Sequence, residues 1–320
     1  MFYAIRHTTR FHYESPVTET VMEVRKHPRT DANQRCLNHT LRVTPRARVF
    51  SYRDYLGNTV HHFDVPGRYT RLVIVAESLV ELEAVDDPLP LTAADWAELD
   101  HMVNLGDYWE MLTPSQFARP SRELHELRDA LNIRREADPL TTVISAKHKI
   151  FEHFEYQSST TKVDSPIDEA IRHRKGVCQD FAHIYIAIMR ELKIPARYVS
   201  GYLFHSRGLD RSAEGATHAW AEVLLPKIGW LGIDPTNRLL ACERHVRTAI
   251  GRDYADVPPT RGVFKGEAKG ELSVTVRVTQ SDAPIESSAD GGHSEQWAPI
   301  PESEVSAEHH HHQQQQQQQQ

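Results

Sequence analysis

Three short blocks carry residue types that together can perform acyl chemistry: Gly176-Val177-Cys178-Gln179-Asp180-Phe181, Thr217-His218-Ala219-Trp220-Ala221-Glu222-Val223 and Trp230-Leu231-Gly232-Ile233-Asp234-Pro235-Thr236-Asn237. A thiolate attacks a carbonyl, an imidazole carries the proton, and a carboxylate fixes the imidazole tautomer and supports its charged form. Each residue alone has a plainer reading. A cysteine on an apolar helical face is commonly a small buried hydrophobe, and a lone histidine on a strand is commonly structural. The conjunction of the three is what points to catalysis.

The spacing places each block on an element. Phe181, Ile184, Tyr185, Ile188, Met189 and Leu192 mark one helical face, and Pro195 stops the helix. Cys178 then lies in the first turn with its sulfur facing inward. A helix N-terminus offers partial positive charge and unpaired N–H groups, which lower a thiol pKa and can bind an oxyanion. The second block alternates as a strand, so His218, Trp220 and Glu222 share a face. Pro226-Lys227-Ile228-Gly229 is a hairpin-sized gap, after which the partner strand brings Asp234 beside His218. Around this trio, Asp180 reads as a dipole and capping residue. Tyr156 and Gln157 are candidates for a second oxyanion donor, and Trp220 either walls the site against water or belongs to the core. Cys36 and Cys242 read as structural thiols. His61-His62 and His205 lack a third ligand at fixed spacing, so neither metal nor cofactor is expected.

Ahead of these blocks, residues 1–85 read as short strands, with alternation through His39-Thr40-Leu41-Arg42-Val43-Thr44 and breaks at Ser15-Pro16, Pro45, Leu56-Gly57-Asn58 and Pro66-Gly67. This predicts an antiparallel, β-sandwich-like first domain. Asp86-Asp87-Pro88-Leu89-Pro90 reads as a seam. From Thr92 to Leu131 the apolar spacing is helical, cut by Pro114 and Pro120, and a further helix is expected over Pro139–Phe154. Ser165-Pro166-Ile167-Asp168 predicts a helix start with Ser165 as cap and an end near Gly176. Strands return from Gly201, and Leu272–Val278 is expected to close a second domain, residues 86–280. Residues 281–320, rich in Ser, Ala, Pro, Glu and Gln and ending in His and Gln runs, are expected to be a disordered tail.

The charge is uneven. Seven of the 44 acidic residues and none of the 37 basic ones fall in 281–320, so the remainder is formally neutral. Neutrality gives no general attraction to nucleic acid or an anionic membrane, and neither is expected as a partner. Three cysteines are too few for a disulfide framework, the start lacks a secretory pattern, and no apolar run is long enough to span a bilayer. A cytoplasmic location is expected.

Gly-Val-Cys-Gln-Asp-Phe-Ala-His at 176–183, Thr-His-Ala-Trp-Ala-Glu-Val at 217–223 and Gly-Ile-Asp-Pro-Thr-Asn at 232–237 resemble the Cys, His and Asp blocks of the bacterial transglutaminase-like superfamily. Residues 253–262 resemble the stretch that follows the Asp block, and the first eighty or so residues resemble the β-rich region that accompanies this core. The resemblance implies an α+β, papain-like core in which Cys178 is nucleophile, His218 general base and then acid, and Asp234 the orienting residue. It implies a peptide or protein substrate and attack on a peptide or carboxamide carbonyl. The thioester formed is resolved by water, as in a transglutaminase-like peptidase, or by an amine, as in a crosslinking or deamidating transglutaminase. A non-catalytic binding module on the same fold is the reading from a different class. In each case the β domain is a candidate surface for a peptide, a partner or a second copy, and the oligomeric state stays open.

Overall fold

Five strands open the chain: β1 (Phe2–Val24), β2 (Gln34–Thr44), β3 (Val49–Arg53), β4 (Thr59–Val65) and β5 (Tyr69–Leu82). The computed structural model describes residues 1–281 apart from 159 and 207–209. β1 serves two ladders. Its first half pairs antiparallel with β5, which pairs onward with β2; residues 20–24 pair with β4, which pairs with β3. The register breaks between His12 and Val17, where Pro16 removes a ladder donor and the strand can bend from one layer to the other. Met22, Val24, Phe63, Val65, Leu72 and Ile74 meet as one apolar cluster. Along β5, every second residue from Leu72 to Leu82 is buried, as the pleat requires of a strand with one covered face.

The middle of the chain is helical: α1 (Asp95–Asn104), α2 (Arg122–Ala130), α3 (Pro139–His153), α4 (Ile167–His173) and α5 (Cys178–Glu191). Side-chain caps set two of the starts. The Ser121 hydroxyl accepts the Leu124 N–H at 3.1 Å, and the Asp138 carboxylate accepts the Thr141 N–H at 2.9 Å with Pro139 opening the helix. α4 begins one residue later than the sequence suggests. Ser165 Oγ accepts the Lys162 N–H at 3.0 Å instead of capping, and α4 ends where Arg174 turns left-handed at φ 53°. The parallel pair β6 (Glu155–Tyr156) and β7 (Lys175–Gly176) clamps the chain just before Cys178.

The second sheet comprises β8 (Ala196–Leu203), β9 (His218–Leu225), β10 (Gly229–Asp234), β11 (Leu239–Leu240) and β12 (His245–Gly251), in the spatial order β11-β10-β9-β8-β12. α5 lies across β8 and β9. It is buried on every side from Asp180 to Arg190, more than the single apolar face expected of it. Buried Arg190 escapes the cost of an unpaired charge by donating to the carbonyls of Met111, Ala196 and Arg252. The mixed helix-and-antiparallel-sheet architecture is the expected α+β class.

The last strands correct the expected layout. β13 (Thr260–Lys265) and β14 (Gly270–Ser281) both pair with β1, so the segment expected to close the second domain belongs to the first sheet. Two side-chain amides join the units. Asn58 Nδ2 donates to the Ile250 carbonyl and Asn58 Oδ1 accepts the Ile250 N–H, both at 2.8 Å; Gln34 does the same for Arg247, at 2.8 and 2.7 Å. The outer edge of β12 is thereby satisfied as a neighbouring strand would satisfy it. The expected tail lies outside the described residues, among which no helix is long and apolar enough to cross a membrane.

Candidate active site

Cys178 is the first residue of α5, held from both directions. Behind it, the Gln157 N–H donates to the Gly176 carbonyl at 2.9 Å, extending the β6–β7 clamp. Ahead of it, Asp180 Oδ2 accepts the Val177 N–H at 2.8 Å and the Thr161 hydroxyl at 2.6 Å. Asp180 is therefore a capping residue, as its position in the first turn suggests. Burial pushes its pKa up to about 6 in spite of those two bonds. Gly176 is required by this contact, because a Cβ there would stand 2.7 Å from Asp180 Oδ2.

His218 opens β9 and Asp234 ends β10. The hairpin register sets Ile233 opposite Ala221, which makes Asp234 a same-face diagonal neighbour of His218. His218 Nε2 lies 2.8 Å from Asp234 Oδ2, with both residues buried. Asp234 is also held by the N–H groups of Thr236 and Asn237 on Oδ1, at 3.0 and 3.1 Å, and by Asn237 Nδ2 on Oδ2 at 2.8 Å. Burial alone would raise the Asp234 pKa, but His218 and His245 outweigh it and hold the carboxylate ionised. Burial alone would lower that of His218, and Asp234 with the nearby Cys178 sulfur reverses the sign and pushes it up to about 10. His218 Nδ1 is buried without a hydrogen-bond partner. The Cys178 sulfur is close enough to raise the His218 pKa both by its charge and as a hydrogen-bond acceptor.

Cys178, Gln179, Thr217 and His218 line one cavity of about 70 Å³. Its opposite wall comes from the first sheet, through His7, Thr9, Leu272 and Val274. The β domain therefore completes the cleft, a role that alternation in the sequence could not disclose. Trp220 is fully buried and stacks on His218 at 5.9 Å between centroids, so it backs the imidazole and is not in contact with the cavity. Tyr156 and Gln157 are not brought to the cleft. The Tyr156 hydroxyl accepts the Ala213 N–H at 3.2 Å, and the Gln157 N–H is engaged in the clamp. The amides of the first turn of α5 lack intrahelical acceptors by helix geometry.

His245, on β12, was not singled out in the sequence. Its Nε2 lies 3.2 Å from Asp234 Oδ2, the oxygen already bound to His218. His218, Asp234 and His245 offer three ligand atoms within 4.8 Å of one another, the arrangement of a metal site. Tautomer chemistry argues otherwise. The Cys242 N–H donates to His245 Nδ1 at 3.2 Å, so the neutral ring carries its proton on Nε2 and presents Asp234 with a donor. His61, a candidate ligand in the sequence, stacks with His39 and His27 at 5.2 and 6.0 Å between centroids. His205 bonds Ser212 Oγ at 3.0 Å.

The profile of the bacterial transglutaminase-like N-terminal region matches residues 3–81, and that of the transglutaminase-like superfamily matches residues 130–235. An uncharacterised protein of Mycobacterium leprae is 32% identical over 276 residues, which is 86% of this chain and 97% of the relative. A protein-glutamine gamma-glutamyltransferase of Pseudomonas aeruginosa is 31% identical over 119 residues, covering 33% of this chain and 17% of that protein. Among solved structures, a candidate cysteine protease from Cytophaga hutchinsonii has the same fold, with a TM-score of 0.69 at 24% identity over 89% of this chain and 92% of its own. The chain belongs to the transglutaminase-like superfamily, its core preceded by the bacterial transglutaminase-like N-terminal region.

Proposed function

We propose that the protein is a cysteine-dependent enzyme that opens peptide or carboxamide bonds through a thioester on Cys178. The observation that carries this reading is the His218 side chain: one ring nitrogen is fixed on Asp234 at 2.8 Å while the other is buried, unpartnered and beside the Cys178 sulfur. An orphaned buried nitrogen in a folded protein is costly, and catalytic geometry is a recurrent reason for keeping one. His218 takes the thiol proton and Cys178 attacks the carbonyl carbon. The oxygen gathers charge against the first-turn amides of α5, and His218 then protonates the leaving amine. Water, activated by the same imidazole, releases the acid. Hydrolysis is preferred to amine transfer because water is always present and the cavity walls supply no evident amine pocket.

Similarity to a gamma-glutamyltransferase over part of the core favours a second reading, transfer of the acyl group to a protein amine. Both readings use Cys178, His218 and Asp234 in the same roles. Three unpaired cysteines fit a reducing compartment, and we place the protein in the cytoplasm on that ground.

Alkylation with iodoacetamide followed by peptide mapping tests the nucleophile without a known substrate. Near neutral pH, Cys178 is expected to react well ahead of Cys36, whose pKa burial pushes up to about 11. His218→Ala is expected to remove most of that advantage. Equal labelling of Cys178 and Cys36 in the wild type would rule out an activated thiolate.

A further inference from the structure

Cys242 and His245 repeat, on the other side of Asp234, the arrangement of Cys178 and His218. Cys242 Sγ lies 3.6 Å from His245 Nδ1, and His245 Nε2 lies 3.2 Å from the Asp234 oxygen that also binds His218. Cys242 is only partly buried and His245 is buried. We propose that Cys242 is a site of thiol–disulfide exchange with low-molecular-weight disulfides, and that its modification is felt at Cys178 through the shared carboxylate. The second part rests on the catalytic reading of Cys178.

The groups facing Cys242 are His245, Arg244, Glu243 and the Tyr3 phenol. Burial and Glu243 oppose ionisation of the thiol, and His245 with the Arg244 segment outweighs them, so its pKa falls below the ordinary value. Partial exposure beside cationic groups is the setting in which a cysteine reacts. In the exchange, the Cys242 proton passes to His245 Nδ1 and the thiolate attacks one sulfur of the disulfide. The Cys242–S–S–R bond forms as the old S–S bond breaks, and the departing thiolate takes up a proton to leave as RSH.

The coupling follows from one oxygen serving two imidazoles. While Cys242 and His245 exist as an ion pair, Asp234 supports two cations whose rings are 6.1 Å apart. A disulfide at Cys242 has no proton to give, so His245 returns to neutral and Asp234 is left to support His218 alone. Exchange removes the thiolate's charge together with the imidazolium's, but the imidazolium shares the Asp234 oxygen with His218 while the sulfur sits at its far ring nitrogen. The net change therefore favours the protonated His218 by less than the roughly threefold that bulk water allows for the imidazolium alone. The imidazole beside Cys178 then stays charged more of the time.

Oxidised glutathione is the probe, with peptide mapping as readout. In the full-length Cys178→Ala protein, Cys242 is expected to be thiolated at least about tenfold faster than Cys36. His245→Gln should slow it severalfold, as should Arg244→Gln, which leaves Asp234 untouched. In wild type thiolated at Cys242, and in His245→Gln, iodoacetamide is expected to alkylate Cys178 faster than in the untreated protein, by up to about threefold. A purely structural His245 would give the opposite sign. Thiolation of Cys242 no faster than of Cys36 overturns the site, and an unchanged or lowered Cys178 rate overturns the coupling. Failure of the catalytic reading is separate: it shows as an inert Cys178 in untreated wild type.

Discussion

The three residues proposed to carry the chemistry differ in what each can lose. Cys178→Ala is expected to abolish acyl chemistry while leaving the melting temperature nearly unchanged, since a small side chain in a first turn costs little packing. Cys178→Ser should be almost as inactive. His218→Ala removes the proton carrier and should lose most of the rate at any pH. Asp234→Asn should retain more, with the defect in kcat, since it alters only orientation and charge support. Asp180 gives a separate test by stability. Its carboxyl is raised by burial from the usual 3.8 to about 6 in the folded protein. Between those values the unfolded chain has released its proton while the native state holds one, so stability falls as pH rises through that window. Asn cannot ionise, so Asp180→Asn should gain on the wild type from about pH 4 to 6, by at most about 3 kcal/mol, and no further above it. Urea unfolding at several pH values measures this; a constant difference would mean that native Asp180 is ionised throughout. The trio was legible in the sequence because a first-turn cysteine and a two-strand hairpin are local patterns. His245 was not, since it reaches Asp234 from a strand outside that hairpin, and spacing along the chain says nothing about such a partner.

Close backbone approach fixes how the elements meet around the site. A Cβ on Gly201 would stand 2.1 Å from the Val246 carbonyl oxygen and 2.7 Å from the Trp220 ring. Gly201→Ala should therefore prise β8 from β12 and displace the indole behind His218, at a cost of about 3 kcal/mol or more. Gly176→Ala meets a side chain instead of backbone, so it should cost less stability but disturb the Asp180 cap and slow Cys178 alkylation. Thermal melts with alkylation rates on the two variants check that ordering. α5 and the β9–β10 hairpin were readable because periodicity, Pro195 and a Gly-containing turn are written locally. The start of α4 was misread by one residue because Ser165 had a competing partner in the preceding loop. β12, His245-Val246-Arg247-Thr248-Ala249-Ile250-Gly251, alternates poorly because its two edges, one on β8 and one on side-chain amides, bury it almost throughout.

The two units are joined through groups that cannot be left unpaired. Asn58→Ala would strand the buried N–H and carbonyl of Ile250 and should destabilise the protein by about 2–4 kcal/mol. Because the cleft has a wall from each unit, loosened docking should also slow Cys178 alkylation; full speed in a destabilised Asn58→Ala protein would show that the first sheet is dispensable to the site. The assignment of β14 to the catalytic unit failed because a strand's own residues do not name its ladder partner, and this partner lies at the far end of the sequence. That pairing also sets an order of events during synthesis. β1 leaves the ribosome well before the core, yet it keeps an open edge until residues 260–281 emerge, after the whole core. Leu272 and Val274, which wall the cleft, arrive in the same late segment. Contacts of such sequence separation form late, so Cys178 stays without its finished pocket until a segment about eighty residues or more beyond it has been made.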